Sequence, residues 1–167
     1  DDFLALINSD PPATYVKDHP YAKGVKYLPI EVVEMFMTRI FQQWRVEVKR
    51  EGQLLNSIYV AVRLHFKHPI TGEWEYEDGL GAVPAKTEKG ARASDMNSIL
   101  SDAVMTGLPA AESFAIKDAA EKIGKVFGAD LNRAEKTHFK PTYGTDEIKE
   151  QLNAKKQELK RRLNANN

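Results

Sequence analysis

The sequence has 167 residues, 42% hydrophobic and 29% charged, which suits one sizeable core and falls short of two full domains. Its 24 Lys+Arg balance 24 Asp+Glu, which excludes holding nucleic acid by bulk charge and confines any such site to a local patch. With no cysteine there are no disulfides, thiol nucleophiles or zinc ribbons, and no apolar run reaches the roughly 18 residues of a membrane span, so a soluble, cytoplasmic protein without membrane contact is expected.

Residues 1–29 carry Pro11, Pro12, Pro20, Gly24 and Pro29. So many breakers predict an extended N-terminal arm with at most a short helical turn near its start. Over 30–43 the residues Val32, Val33, Phe36, Met37, Ile40 and Phe41 recur at helical spacing and predict a core-facing helix. The period then becomes two. Trp44, Val46 and Val48 alternate with Arg45, Glu47 and Lys49, and a turn is expected near Glu51, Gly52 and Asn56. Ile58, Val60, Val62, Leu64 and Phe66 then face one way, and Tyr59, Ala61, Arg63, His65 and Lys67 the other. After a turn at Pro69 and Gly72, Trp74 and Tyr76 alternate with Glu73, Glu75 and Glu77. The reading is a three-stranded antiparallel meander with one buried face, on which Trp44 and Trp74 are core anchors.

Residues 87–105 are polar and compatible with helix, up to the breakers Gly107 and Pro109. Over 110–127 the stripe Ile116, Ala119, Ala120, Ile123, Val126 and Phe127 predicts a second core helix, closed by Gly128. A linker over 134–145 follows, then a charged helix over 146–167 with the sparse stripe Ile148, Leu152, Leu159 and Leu163. The expected organisation is an arm (1–29), an α+β core (30–133) of a meander packed against helices, a linker and a C-terminal helix. The arm and the terminal helix are the elements expected to bridge subunits. The basic run Lys155, Lys156, Lys160, Arg161 and Arg162 reads as a solvated face or as a contact to DNA or a neighbouring subunit.

Three marks in fixed order resemble the Rad fifty-two/twenty-two type single-strand annealing proteins, in their phage or mobile-element branch. They are Glu34-Met35-Phe36 in a helix that leads into Trp44, the strand exit Tyr76-Glu77-Asp78-Gly79-Leu80-Gly81, and the helix from Lys117-Asp118-Ala119-Ala120 to Phe127-Gly128. The resemblance spans about 27–133 and implies ATP-independent binding and annealing of single-stranded DNA in recombination or repair by a homo-oligomeric ring or helix. It implies no enzyme activity, catalytic residue, metal or cofactor, and as partners single-stranded DNA, further copies of the chain, and a host single-strand-binding protein or phage exonuclease. A phage-encoded chain would work in the bacterial cytoplasm.

Annealing needs a positive groove that grips phosphates and leaves base edges free. By resemblance Lys122 and Lys125, one turn apart, are the leading DNA contacts, with Lys117 on the same helix; Glu121 stands where the family carries another basic residue. Arg63, His65 and Lys67, with Tyr59 as a stacking residue, extend the groove across one strand, and Arg45 and Lys49 across its neighbour. The strand residues have an alternative reading as cross-strand ion pairs with Glu73, Glu75 and Glu77 on a solvated face. His65 and His68 lack metal-site geometry, and neither a Walker loop nor a Gly-x-Ser-x-Gly elbow is present. The competing functions are a protein-interaction or assembly subunit without DNA binding and, behind it, a nuclease.

Overall fold

The structure, a computed structural model, describes residues 2–92 and 94–135, with Ala154, Gln157 and Arg161 beyond them. Apart from these positions, the linker and C-terminal helix expected over 134–167 lie outside the described residues. The fold is α+β, as the change of period from 3.6 to 2 predicts.

The arm forms a short helix α1 (Asp2–Ile7), one 3-10 turn (Ala13–Tyr15), and a small antiparallel ribbon of β1 (Lys17–Asp18) and β2 (Lys26–Tyr27). It is packed on its own core. Ile7 and Leu28 are buried, Phe3 meets Phe41 edge-on at 6.1 Å between centroids, and Tyr15 meets Phe36 at 5.5 Å.

Helix α2 (Ile30–Phe41) follows Pro29, whose fixed φ suits a helix entry, and ends at Gln42 with a positive φ of 61°. It buries Val32, Val33, Phe36, Met37 and Phe41. Burying each such side chain contributes about 1.5–3 kcal/mol.

The meander consists of β3 (Trp44–Leu54), β4 (Ser57–Lys67) and β5 (Trp74–Pro84), in that order across the sheet. Strand β4 alternates strictly, its even positions 58 to 66 buried and its odd positions half-buried. Strand β3 runs through the turn expected near Gly52, and the chain reverses at Leu55, whose φ is 55°. An irregularity between Val48 and Arg50 leaves Lys49 as the extra residue and shifts the phase of the strand beyond it.

Two expectations are corrected here. Trp74 pairs with Lys67 and Tyr76 with His65, so both aromatics lie on the outer face of the sheet, 48% and 54% exposed. Trp74 is no core anchor. Glu75 and Glu77 pair with the buried Phe66 and Leu64, so they point to the inner face and are not opposite the basic residues of β4. The second correction concerns 87–127. Residues 85–102 hold one bridge (Thr87 to Ile99) and a 3-10 turn (Met96–Ser98), and helix α3 begins at Ala103. It runs through Gly107 and Pro109 to Ile123, and Lys125–Phe127 form a separate 3-10 turn closed by Gly128 at φ 99°.

Helix α3 lies against the inner face of β4 and β5. Glycine makes the approach possible. A Cβ on Gly79 would lie 2.7 Å from the Ala119 nitrogen, and one on Gly81 would lie 2.9 Å from the Phe114 Cβ. The facing residues Ala111, Ala115 and Ala119 are fully buried, so helix and strand backbones meet almost directly. Gly124, extended at φ 177°, admits the backbone of Ile7, whose carbonyl carbon would sit 2.8 Å from an added Cβ. Phe127 is 1% exposed and stacks near Phe41, so it closes the core below α2 as the sequence predicts.

Candidate functional site

The register collects five of the nine candidate residues, Arg45, Tyr59, Arg63, His65 and Lys67, on the outer face of the sheet, and an ion pair with Glu47 brings Lys49 to it. Arg45 stands opposite His65, and Glu47 opposite Arg63. On the other side of β4, His65 is opposite Tyr76, Arg63 opposite Asp78, and Lys67 opposite Trp74. Tyr59 lies over Gly52, where a Cβ would be 2.6 Å from its hydroxyl oxygen, so the missing side chain lets the ring lie flat across the strand. Lys49 pairs with Glu47 at 3.2 Å, on the same face.

Charge and ring contacts on this face interlock. Arg63 donates from Nε to Asp78 Oδ1 at 2.7 Å and from Nη2 to Oδ2 at 2.9 Å, and its guanidinium lies 4.0 Å from the centre of the Tyr76 ring. The hydrogen bonds raise the Arg63 pKa further and hold the Asp78 carboxyl below its ordinary range. His65 Nε2 lies 2.9 Å from Glu47 Oε2, and hydrogen bonds from His65 and Lys49 lower the Glu47 pKa. Arg45 sits over Trp74 at 5.2 Å. Arg45, Arg50 and Lys67 have no carboxylate within salt-bridge distance among the described residues. The face therefore presents cations and two exposed aromatic rings, with Glu47 and Asp78 as its carboxylates. The alternative of cross-strand pairing holds in part, since Arg63 and His65 are paired, but their partners are Asp78 and Glu47.

The three lysines of the signature-like helix separate. Lys122 reaches the open edge of β5, where its ammonium donates to the Asp78 carbonyl and lies 3.6 Å from Asp118. Asp118 in turn accepts the Leu80 N–H at 2.9 Å, so this i,i+4 pair covers a stretch of unpaired strand edge. Lys117 points into a cavity of about 410 Å³ between β2, β5 and α3, with its ammonium over Tyr27 at 5.4 Å and Phe114 at 4.7 Å. Burial lowers its pKa. Lys125 does not share a helical face with Lys122, because the helix ends before it. Its side chain is 13% exposed and lies 3.4 Å from Asp10 and 3.6 Å from the buried Asp130.

Trp74, Tyr76 and Arg50 belong to the same face and are not among the candidates read from sequence. Arg50 reaches it because the irregularity at Lys49 restores it to the outer phase, opposite Ala61. Among the described residues no group of three or more His, Asp or Glu is arranged to hold a metal ion, and no helix is long and apolar enough to cross a membrane. No protein-family model and no curated protein matches the chain.

Proposed function

We propose that the chain binds single-stranded nucleic acid along the outer face of its β3–β4–β5 sheet and, without ATP, anneals complementary strands as a homo-oligomer. One observation carries this reading. The pairing register sets Arg45, Arg63 and Lys67 beside Trp74 and Tyr76 on one solvent-facing surface. Cations that track phosphates, interleaved with rings on which bases stack, suit a flexible single strand, because every base has a π-face and every linkage a charge. Lys122 at the β5 edge continues the surface past Asp78. Contacts to phosphate and to ring faces leave the pairing edges of the bases open, which annealing requires.

A second reading rests on Leu80, which is 69% exposed on the same face. Together with the exposed rings it suits a protein partner, and the chain would then be an assembly subunit. Fluorescence anisotropy with an unstructured oligonucleotide, in a salt series, separates the two. The nucleic-acid reading expects saturable binding that weakens steadily as salt rises, and faster pairing of complementary oligonucleotides without ATP. Absence of binding at low salt refutes it. Strand cleavage in magnesium would instead point to a nuclease.

A further inference from the structure

The two edges of the β3–β4–β5 sheet differ. Lys67 donates its N–H to the Gln43 carbonyl at 3.0 Å, and His68 donates its N–H to the Glu73 carbonyl at 2.8 Å, which sets the alternation of both ladders. Odd-numbered residues of β4 therefore bond to β3 and even-numbered ones to β5. On β5 the backbone groups of Asp78 and Leu80 point outward, and both are taken: Lys122 donates to the Asp78 carbonyl, and Asp118 accepts the Leu80 N–H at 2.9 Å. That edge is sealed in its middle. On β3 the outward groups are those of Trp44, Val46 and Val48, and among the described residues no hydrogen bond from outside the sheet reaches them. Val48 is also 48% exposed. An unsealed edge is a template for another strand.

We infer that this edge of β3 pairs with the same edge of a second copy of the chain, antiparallel and centred on Val46. Trp44–Val48 is the stretch of β3 that keeps one register against β4 before the irregularity at Lys49 bends the strand. Two-fold pairing that sets outward residues against each other can centre inside it on Arg45, Val46 or Glu47. The first places Arg45 against Arg45 and the third Glu47 against Glu47, like charges directly opposite. Only the second is complementary. Centred on Val46, Arg45 faces Glu47 of the second copy at two symmetric places, and Trp44 faces Val48, an aromatic ring against a β-branched side chain. Arg45 has no carboxylate within salt-bridge distance in its own chain among the described residues, and here it gains one.

Two copies then form one sheet in the order β5-β4-β3-β3-β4-β5, with their outer faces on the same side. Because the β5 edge is sealed, sheet pairing stops at two copies, and a larger assembly needs a different contact. The inference gives the self-association proposed above its contact and rests on that part of the reading alone, so it is tested without nucleic acid.

The chain has no cysteine, so a single introduced thiol reports on contacts between copies. Arg45→Cys and Glu47→Cys are prepared separately in the full chain, then oxidised alone and as an equimolar mixture. In the inferred register, positions 45 and 47 form a non-hydrogen-bonded pair with Cα atoms about 4.5 Å apart, within disulfide reach, whereas like positions stand diagonally at about 7–8 Å. The mixture is expected to give several times the disulfide dimer of either variant alone. Lys67→Cys mixed with Glu47→Cys, from the interior strand β4, sets the background. In size-exclusion chromatography Arg45→Glu should shift the chain toward smaller species, and Arg45→Glu with Glu47→Arg should restore the larger one. A mixture that stays at background overturns the inference, as does a doubly reversed chain that urea unfolding shows to be folded and that remains small. If the unmodified chain assembles but the mixture does not cross-link, this contact alone is refuted; if the unmodified chain is monomeric, the self-association falls with it. A cross-link in a chain that binds no oligonucleotide upholds the contact and refutes the nucleic-acid reading.

Discussion

Arg63 and Asp78 face each other across β4 and β5 and are joined by two parallel hydrogen bonds of 2.7 and 2.9 Å. In an open sheet face, such a pair holds the guanidinium in place and also competes with any phosphate that would use it. Substituting the two partners is therefore expected to act in opposite directions. Arg63→Ala weakens single-strand binding by roughly tenfold and lowers the salt slope by about 0.7, the share of one phosphate on a single strand. Asp78→Asn removes the competing charge and tightens binding by a few fold. Anisotropy titrations of both variants over one salt series check this; equal behaviour of the two would mean that the pair is only a solvated cross-strand contact.

Trp74 reports on stacking. It is one of two tryptophans, and the other, Trp44, is tied to Thr38 through a 3.0 Å hydrogen bond at the start of β3. Oligonucleotide is expected to quench tryptophan emission in the unmodified protein and in Trp44→Phe, and to lose that effect in Trp74→Phe. Trp74→Ala should weaken binding by about 1–3 kcal/mol, the usual worth of one base–aromatic stack. Quenching that persists in Trp74→Phe would move the contact off this face.

Acid should weaken the fold in a defined window. Hydrogen bonds hold the carboxyl groups of Glu47 and Asp78 below their ordinary values of 4.5 and 3.8. A carboxyl whose folded pKa is depressed contributes stability above its unfolded value and loses it as the pH falls through its folded value. Stability is thus expected to decline from about pH 4.5 downward, and Glu47→Gln with Asp78→Asn should flatten that part of the curve. The groups are exposed, so the effect is small. Urea unfolding at several pH values between neutrality and acid measures it.

The close approach of α3 to β5 should be intolerant of a single methyl group. Gly79→Ala and Gly81→Ala each place a Cβ against helix backbone or a facing side chain, and each is expected to cost about 3 kcal/mol or more. Gly90→Ala is the contrast. Nothing lies within 4 Å of its Cβ, and only the positive φ of 87° opposes it, at about 1 kcal/mol. Denaturant unfolding of the three variants gives the comparison; equal losses would remove the packing argument.

These glycines also explain where the sequence misleads. Strand β4 is legible because it is covered along its whole inner face and alternates without interruption. Helix α2 is legible for the same reason, with one apolar stripe facing one core. In β5 the large apolar residues Trp74, Tyr76 and Leu80 all stand on the outer face, and hydropathy assigns Trp74 to the core. The inner face there belongs to Glu75 and Glu77, to Gly79 and Gly81, whose lack of a side chain makes room for α3, and only at its far end to an aliphatic residue, Val83. A face buried by glycine carries no hydrophobic signal, so the phase of the strand inverts in the reading. The breakers Gly107 and Pro109 mislead in the same way. Gly107 is buried inside α3, where a Cβ would be 2.5 Å from Ile58 Cδ1, and a proline in the second turn of a long packed helix removes one hydrogen bond without ending it. Of the site, the β4 residues follow from period two alone, whereas Arg50 depends on an irregularity that no periodicity announces.

The last prediction separates Lys122 from Lys125, which the sequence joins as one basic pair. Lys122 is 48% exposed at the β5 edge, bonded to the Asp78 carbonyl beside the Arg63 pair. Lys122→Ala is expected to leave the midpoint of unfolding almost unchanged and to weaken single-strand binding by a few fold, equally for oligonucleotides of equal length and different sequence, since a phosphate contact carries no base information. Lys125 is 13% exposed and ties Asp10, three residues past the end of α1, to the buried Asp130 after α3. Lys125→Ala strips a cation from a carboxylate that is only 4% exposed and that Arg133 also binds. The expected cost is about 2 kcal/mol of stability, with binding unchanged under conditions where the variant stays folded. Unfolding curves and anisotropy titrations on both single variants decide the matter. If Lys125→Ala keeps full stability and loses binding, its ammonium serves nucleic acid and the track extends to the far side of α3. If Lys122→Ala binds like the unmodified chain at low salt, the β5 edge is no part of the surface, and the outer sheet face must carry the strand alone.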